Sequence, residues 1–172
     1  MSTLSFPVPL SLSPLRFSAQ EITDVVELYA TNPEYVRAAG EYDPEDIGAD
    51  RVEADLREEA GTDGCEVLLA RDDQGRLAGI LCLLDRHPTD GFPWIGLLMV
   101  HGSFRRKGIG RRLAGLVEER YRGEGREGIR LAVLENNPAA LTFWSALGWQ
   151  EIDRRADRQF GRPCIVMHKQ LT

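Results

Sequence analysis

Five cations crowd into eight residues at Arg105, Arg106, Lys107, Arg111 and Arg112, and two glycines, Gly108 and Gly110, stand among them. An apolar run, Trp94–Val100, precedes this cluster, and an amphipathic stretch follows it. Strand, cationic loop and glycine-opened helix together make a phosphate cradle. Glycine lets backbone approach a ligand closely, and the first-turn N–H groups of a helix lack internal partners. The macrodipole and the cations add positive potential at the same point. A pyrophosphate ligand is therefore expected at Gly108–Gly110. A dinucleotide site would need a third glycine where Leu113 stands, although Glu135 lies near where a ribose-binding acid belongs. The phosphate loop of nucleotide triphosphatases is excluded, because G-x-x-x-x-G-K-[ST] does not occur.

A second segment strengthens one choice of ligand. Asn137 precedes Pro138, as an N-cap precedes a first helical residue, and Ala140, Phe143, Trp144 and Leu147 then form an apolar face ended by Gly148. The pair of segments resembles the GNAT superfamily of N-acetyltransferases. Its [Q/R]-x-x-G-x-[G/A] signature is matched by Arg105-Arg106-Lys107-Gly108-Ile109-Gly110. Its Asn, Ala, aromatic pair and Gly-aromatic are matched by Asn137, Ala140, Phe143-Trp144 and Gly148-Trp149. The resemblance covers about residues 65–170, and the N-terminal helices by order alone.

That resemblance implies acetyl-CoA as cosubstrate. Backbone groups of Leu98, Met99 and Val100 would hold the pantetheine arm. The amides of Arg106, Lys107, Gly108, Ile109 and Gly110, with Arg105 and Arg111, would hold the pyrophosphate, while Asn137, Phe143 and Trp144 would line the arm near the thioester. It also implies acetyl transfer to a primary amine by direct attack in a ternary complex. Two positions depart from the family pattern. Gly96 stands where many members carry a Glu base, and Trp144 where many carry a Tyr acid. An indole N–H is a donor but no acid at neutral pH. A thiolate can leave unassisted, its conjugate acid having a pKa near ~8.5.

The base must then come from elsewhere. Glu135 and Asp85 end strands, and Glu41 and Asp43 lie in a loop that would cover the substrate side, so these carboxylates are the candidates. His101 reads as loop structure, and His87 as a loop or site residue. Cys82 reads as core, with a covalent acetyl-thiol as its alternative. No metal site is expected, because Cys65, Cys82 and Cys164 are too widely spaced. The alternatives to catalysis are a non-catalytic CoA-binding protein of the same fold, a dinucleotide binder and a nucleic-acid binder.

The elements that must position these groups follow from periodicity. Helices are expected over 19–31, from Pro33, over 44–60, 108–122 and from 138. Strands are expected over 66–71, 77–84, 94–100, 129–134, 149–153 and 164–169. The 77–84 run is apolar on both faces and should be central. The fold class is α/β: a mixed, mostly antiparallel GNAT-like sheet of six or seven strands flanked by about four helices. Residues 1–13 read as an extended tail or arm, and 14–172 as one N-acetyltransferase domain.

The chain has 172 residues, 42% hydrophobic and 28% charged, which suits one folded core rather than disorder or coiled coil. The longest unbroken apolar run, Phe92–Val100, is far short of the roughly 20 residues of a membrane span. Net charge is −6, which opposes nucleic-acid binding. Residues 41–60 alone carry −7, leaving +1 for all the others. An anionic cosubstrate at the basic cluster and a cationic small-molecule amine at the acidic stretch would satisfy both extremes. A reduced, cytoplasmic protein is expected from the cysteine pattern, and the final hairpin offers an edge for a homodimer.

Overall fold

A computed structural model describes residues 7–172. Seven strands form one sheet: β1 (Ser11–Pro14), β2 (Cys65–Arg71), β3 (Leu77–Leu84), β4 (Trp94–Val100), β5 (Gly128–Leu134), β6 (Gln150–Ala156) and β7 (Pro163–Gln170). Their spatial order is β1-β2-β3-β4-β5-β7-β6, with β4 and β5 parallel and every other pair antiparallel. β3, apolar on both faces, is buried along all but its last residue, as a strand between two neighbours must be.

Alternation along β3 divides its side chains between two cores. Leu81 and Leu83 face α4 (Ile109–Gly123) and α5 (Pro138–Ala146). Ile80 and Cys82 face α1 (Ala19–Ala30), α2 (Pro33–Ala39) and α3 (Ala49–Gly61). Each helix is held by an apolar stripe: Ile109, Leu113, Val117 and Tyr121 on α4, Val25, Leu28 and Tyr29 on α1, and Val52 and Leu56 on α3. α1 starts in a capping box, where the Ser18 hydroxyl accepts from the Glu21 amide and the Glu21 carboxylate accepts from the Ser18 amide. No helix among the described residues is long and apolar enough to cross a membrane.

One sequence expectation needs correction. α3 begins at Ala49 rather than at residue 44, because 43–46 close into a turn. The Asp43 carboxylate accepts the Glu45 amide there at 3.0 Å. The segment 1–13, expected as an extended tail or arm, leads into the edge strand: Ser11–Pro14 pairs with β2, and Val8 and Leu10 pack on the core. Its residues 1–6 lie outside the described residues.

The sheet opens at one place. β4 and β5 pair only at Trp94↔Arg130 and Ile95↔Leu131, although they run on to Val100 and Leu134. The register of β4 on β3 slips at the same point: Ile95 faces Leu83 and Leu97 faces Cys82, which leaves Gly96 as the extra residue of a bulge. A bulge bends its strand and raises its twist. β4 therefore turns away from β5 just beyond Ile95.

Candidate active site

Past the bulge, β4 keeps its pairing with β3 and loses it with β5. The His101 amide donates to Ala78 at 2.8 Å, so by antiparallel alternation Met99 and Leu97 also turn their backbone groups to β3. Leu98 and Val100 turn theirs into the gap. Asn32 Nδ2 takes the Val100 carbonyl at 3.0 Å, leaving the Val100 N–H and both polar groups of Leu98 on the open side. Of Leu98, Met99 and Val100, which the resemblance would set along a pantetheine arm, Leu98 and Val100 turn backbone groups to the gap. The backbone of Met99 belongs to β3 and its side chain is buried. The gap is a cleft of about 360 Å³, lined by β4, the end of β5, Asn137, Phe143 and Trp144, and by Tyr35 of α2.

At one end of the cleft lies the cationic loop. Arg106 and Gly108 both adopt left-handed backbone, with φ +61° and +71°. Such residues turn neighbouring N–H groups to one side as an anion nest. The amide of Arg112 donates to the Gly108 carbonyl at 3.1 Å, while the amides from Arg106 to Arg111 have no backbone acceptor among the described residues. Gly110 keeps the approach narrow, since a β-carbon there would stand 3.2 Å from the Phe143 ring. Arg106, Lys107 and Arg111 are exposed and have no carboxylate partner among the described residues. Arg105 differs from them: its Nη2 donates to the Thr31 carbonyl at 2.7 Å and to Asn32 Oδ1 at 3.2 Å. It bolts the α1–α2 junction to the loop. These residues fit a pyrophosphate.

Asn137 caps α5, accepting the Ala140 amide at 3.2 Å, and borders the cleft. The α5 face expected to be core is mostly cleft wall: Trp144 is buried, but Ala140, Phe143 and Leu147 are only partly covered. Trp144 meets Phe143 and Trp149 edge-on, at centroid distances of 4.9 and 5.1 Å. It is positioned as an apolar wall.

The base candidates do not converge on the cleft. Asp85 lies at the far end of the sheet, paired with Arg126 at 2.9 Å. Glu135 turns towards Arg154 of β6 (3.8 Å), and Asp43 is held in its own turn. Glu41 meets Arg162 at 3.4 Å. His101 Nδ1 accepts the Ser103 amide at 3.1 Å as the cap of a 3-10 turn, consistent with loop structure. His87 stacks on Trp94 at 4.4 Å, at the closed end of β4. Cys82 is buried, and burial pushes its thiol well above the ordinary range, which opposes a thiolate nucleophile. A larger open hollow of about 510 Å³ lies beside Asp24, Glu27 and His101 and reaches Ser103 and Phe104 at the start of the cationic loop; Asp24 is already paired there with Arg71 at 3.1 Å.

The carboxylate nearest to Gly96, a residue that lines the cleft, is Glu59. Its Oε1 lies 3.7 Å from where a β-carbon on Gly96 would stand. It has no hydrogen-bond or ion-pair partner among the described residues. Partial burial, then Glu41 and Glu58, raise its carboxyl above the usual range. Tyr35, which lines the cleft and packs on the α1–α3 side of the sheet, has its phenol pushed up to about 12 by burial and Glu41. Sequence reasoning treated Glu59 as one charge in an acidic run. A sharper signal was present: Val52, Leu56 and Glu59 follow at i, i+4 and i+7, so Glu59, itself exposed, lies on the helix face whose earlier turns are buried.

Residues 23–149 match the model of the acetyltransferase (GNAT) family. No curated protein shows significant sequence similarity to the chain. Among solved structures, an acetyltransferase from Thermus thermophilus superposes with a TM-score of 0.75 at 19% identity, over 95% of this chain and 98% of that one. The spermidine N-acetyltransferase of Vibrio cholerae, solved with CoA and spermine, gives 0.71 at 16% identity, over 94% and 95%. The ribosomal-protein-S18-alanine N-acetyltransferase of Escherichia coli gives 0.65 at 15%, over 95% of both chains. At these identities the likeness is one of fold.

Proposed function

The chain belongs to the GNAT family of acetyltransferases, and we propose that it moves an acetyl group from acetyl-CoA to a primary amine of a small cationic molecule, by direct attack within a ternary complex. One observation carries this reading: a single cleft runs from Arg105 and Gly110 at the cationic, amide-rich helix start to Tyr35, and the Glu59 carboxylate lies against Gly96 on its β4 wall. The first end suits pyrophosphate and the second an ammonium group. Between them, the free N–H groups of Leu98 and Val100 stand where the thioester carbonyl would need donors as its oxygen gains charge. Leu98, Val100, Asn137 and Phe143 would hold the arm; Arg106, Lys107, Gly108, Ile109, Gly110 and Arg111 would hold the phosphates.

That one structural neighbour was solved with CoA and spermine agrees with a small polycationic acceptor. Another neighbour is named for a protein N-terminus, so the test includes both kinds of amine. Purified protein is incubated with acetyl-CoA and diamines, polyamines, amino acids, aminoglycosides and lysine-containing or free N-terminal peptides, and products are read by mass spectrometry. Acetylated diamines or polyamines support the reading. Acetylation confined to peptides contradicts the acceptor class, and no acetylation of any amine contradicts the transfer.

A further inference from the structure

The bulge residue Gly96 puts no side chain on β4, and one carboxylate lies against that position. Gly96 is exposed to the cleft, and the atoms nearest its missing side chain are the Cys82 carbonyl oxygen at 3.5 Å and Glu59 Oε1 at 3.7 Å. Resting on the acetyl-transfer reading above, we propose that Glu59, reaching the cleft across Gly96, is the proton acceptor for the incoming amine.

Three observations favour this residue over its rivals. Glu59 is fixed by a backbone that Val52 and Leu56 anchor in the core, so its position is set by packing rather than by a surface loop. Its charge is uncommitted among the described residues, whereas Glu41, Asp85 and Glu135 face Arg162, Arg126 and Arg154. The groups facing it do not stabilise its negative charge. They are Glu58 on its own helix, Glu41 from the α2–α3 loop, Cys65 on β2 and Cys82 on β3; Gly96 of β4 brings no charge. Both thiols are pushed up, by burial first and by Glu59 second, so neither competes as a base.

The step balances without a co-reactant. A proton of the bound ammonium passes to Glu59, and the freed nitrogen lone pair forms the N–C bond at the thioester carbonyl. The displaced π pair moves to oxygen, facing the N–H groups of Leu98 and Val100. Collapse breaks the C–S bond, the second nitrogen proton goes with the sulfur as CoA thiol, and Glu59 returns its proton to water.

The test compares wild type with Glu59→Gln, Glu59→Ala and the double variant Glu59→Ala/Gly96→Glu, which returns a carboxylate to the same spot from the strand. Acetyl-CoA affinity by calorimetry and circular dichroism verify that each variant is folded. Glu59→Gln is expected to lower kcat by about 10²–10⁴-fold at unchanged acetyl-CoA affinity, and to abolish the acid limb of the kcat/KM profile. The double variant should recover at least about tenfold over Glu59→Ala. Three results overturn the assignment: an unchanged kcat with only the amine KM raised, which makes Glu59 an anchor; an unchanged acid limb; or no recovery in a double variant that still binds acetyl-CoA. Absence of turnover by wild type is a different failure, since it removes the transfer reading and this assignment with it.

Discussion

Glu59 Oε1 on α3 lies 3.7 Å from the point where a β-carbon on Gly96 of β4 would stand. A helix carboxylate thus lies against the position that a side chain on this strand residue would take. Gly96→Ala adds a methyl group at ordinary contact distance and needs no unusual backbone, so stability should stay within about 0.5 kcal/mol of wild type. Gly96→Leu should screen the carboxylate and lower kcat/KM at least about tenfold, with acetyl-CoA affinity retained. Paired denaturation and kinetic measurements check both, and an unimpaired Gly96→Leu enzyme would contradict the relationship.

The same residue makes a stability prediction. A carboxyl whose pKa is raised in the folded state binds its proton more tightly there than in the unfolded chain. Its ionisation therefore opposes folding as pH rises from the ordinary carboxyl value through the folded one. Glu59→Gln should have a Tm at pH 7 no lower than wild type, and any advantage should vanish below pH 4. A clear loss of Tm at pH 7 would mean that the ionised carboxylate is stabilising.

Asp90 behaves in the opposite sense. Burial pushes its carboxyl up, but the Phe92 amide (2.9 Å), the Trp94 indole (3.1 Å) and Arg130 (3.1 Å) together outweigh that and hold it below the ordinary range. Its contribution is present above the unfolded carboxyl pKa of ~3.9 and is lost as pH falls through the lower folded value. Asp90→Ala should cost about 1–3 kcal/mol at pH 7 by urea denaturation, because the donors lose their acceptor. That cost should shrink at pH 2.

At the cradle, charge reversal separates phosphate binding from the rest of the cleft. Arg106→Glu or Arg111→Glu should weaken acetyl-CoA at least about tenfold, more at low salt, and leave an acetylated pantetheine without phosphates unaffected. Gly108→Trp should weaken acetyl-CoA as well, with strain from φ +71° as an added cost to stability. In thermal shift, acetyl-CoA or CoA at about 100 times Kd should add roughly 2.7 kcal/mol, on the order of 5–11 °C, to wild type. A comparable shift with NAD alone would mean that the missing third glycine at Leu113 does not matter.

Much of this architecture was legible in the residues. Period-3.6 stripes located α1, α4 and α5, and the doubly apolar 77–84 run located the central strand, because both signals come from burial of one face or two. The cradle was legible because glycines and cations are local in sequence. The edge strand Ser11–Pro14 was not, since its pairing with β2 crosses a long stretch of chain and prolines mask it. The opening between β4 and β5 was also hidden, because a bulge is a register relation between two strands. Asp85 and Glu135 were proposed from their strand ends, but which end of the sheet opens depends on that bulge. Glu59 was half visible: its stripe on α3 was readable, whereas its partner across space was an absent side chain.

The most direct test of the central claim is continuous measurement of CoA thiol release from acetyl-CoA by the wild-type protein, with and without a saturating polyamine. The account predicts release that depends on the amine, matches acetylated product one for one, and gains rate with pH through an acid limb set above the ordinary carboxylate range. Release that is independent of any amine, or none with every amine tried, would contradict it.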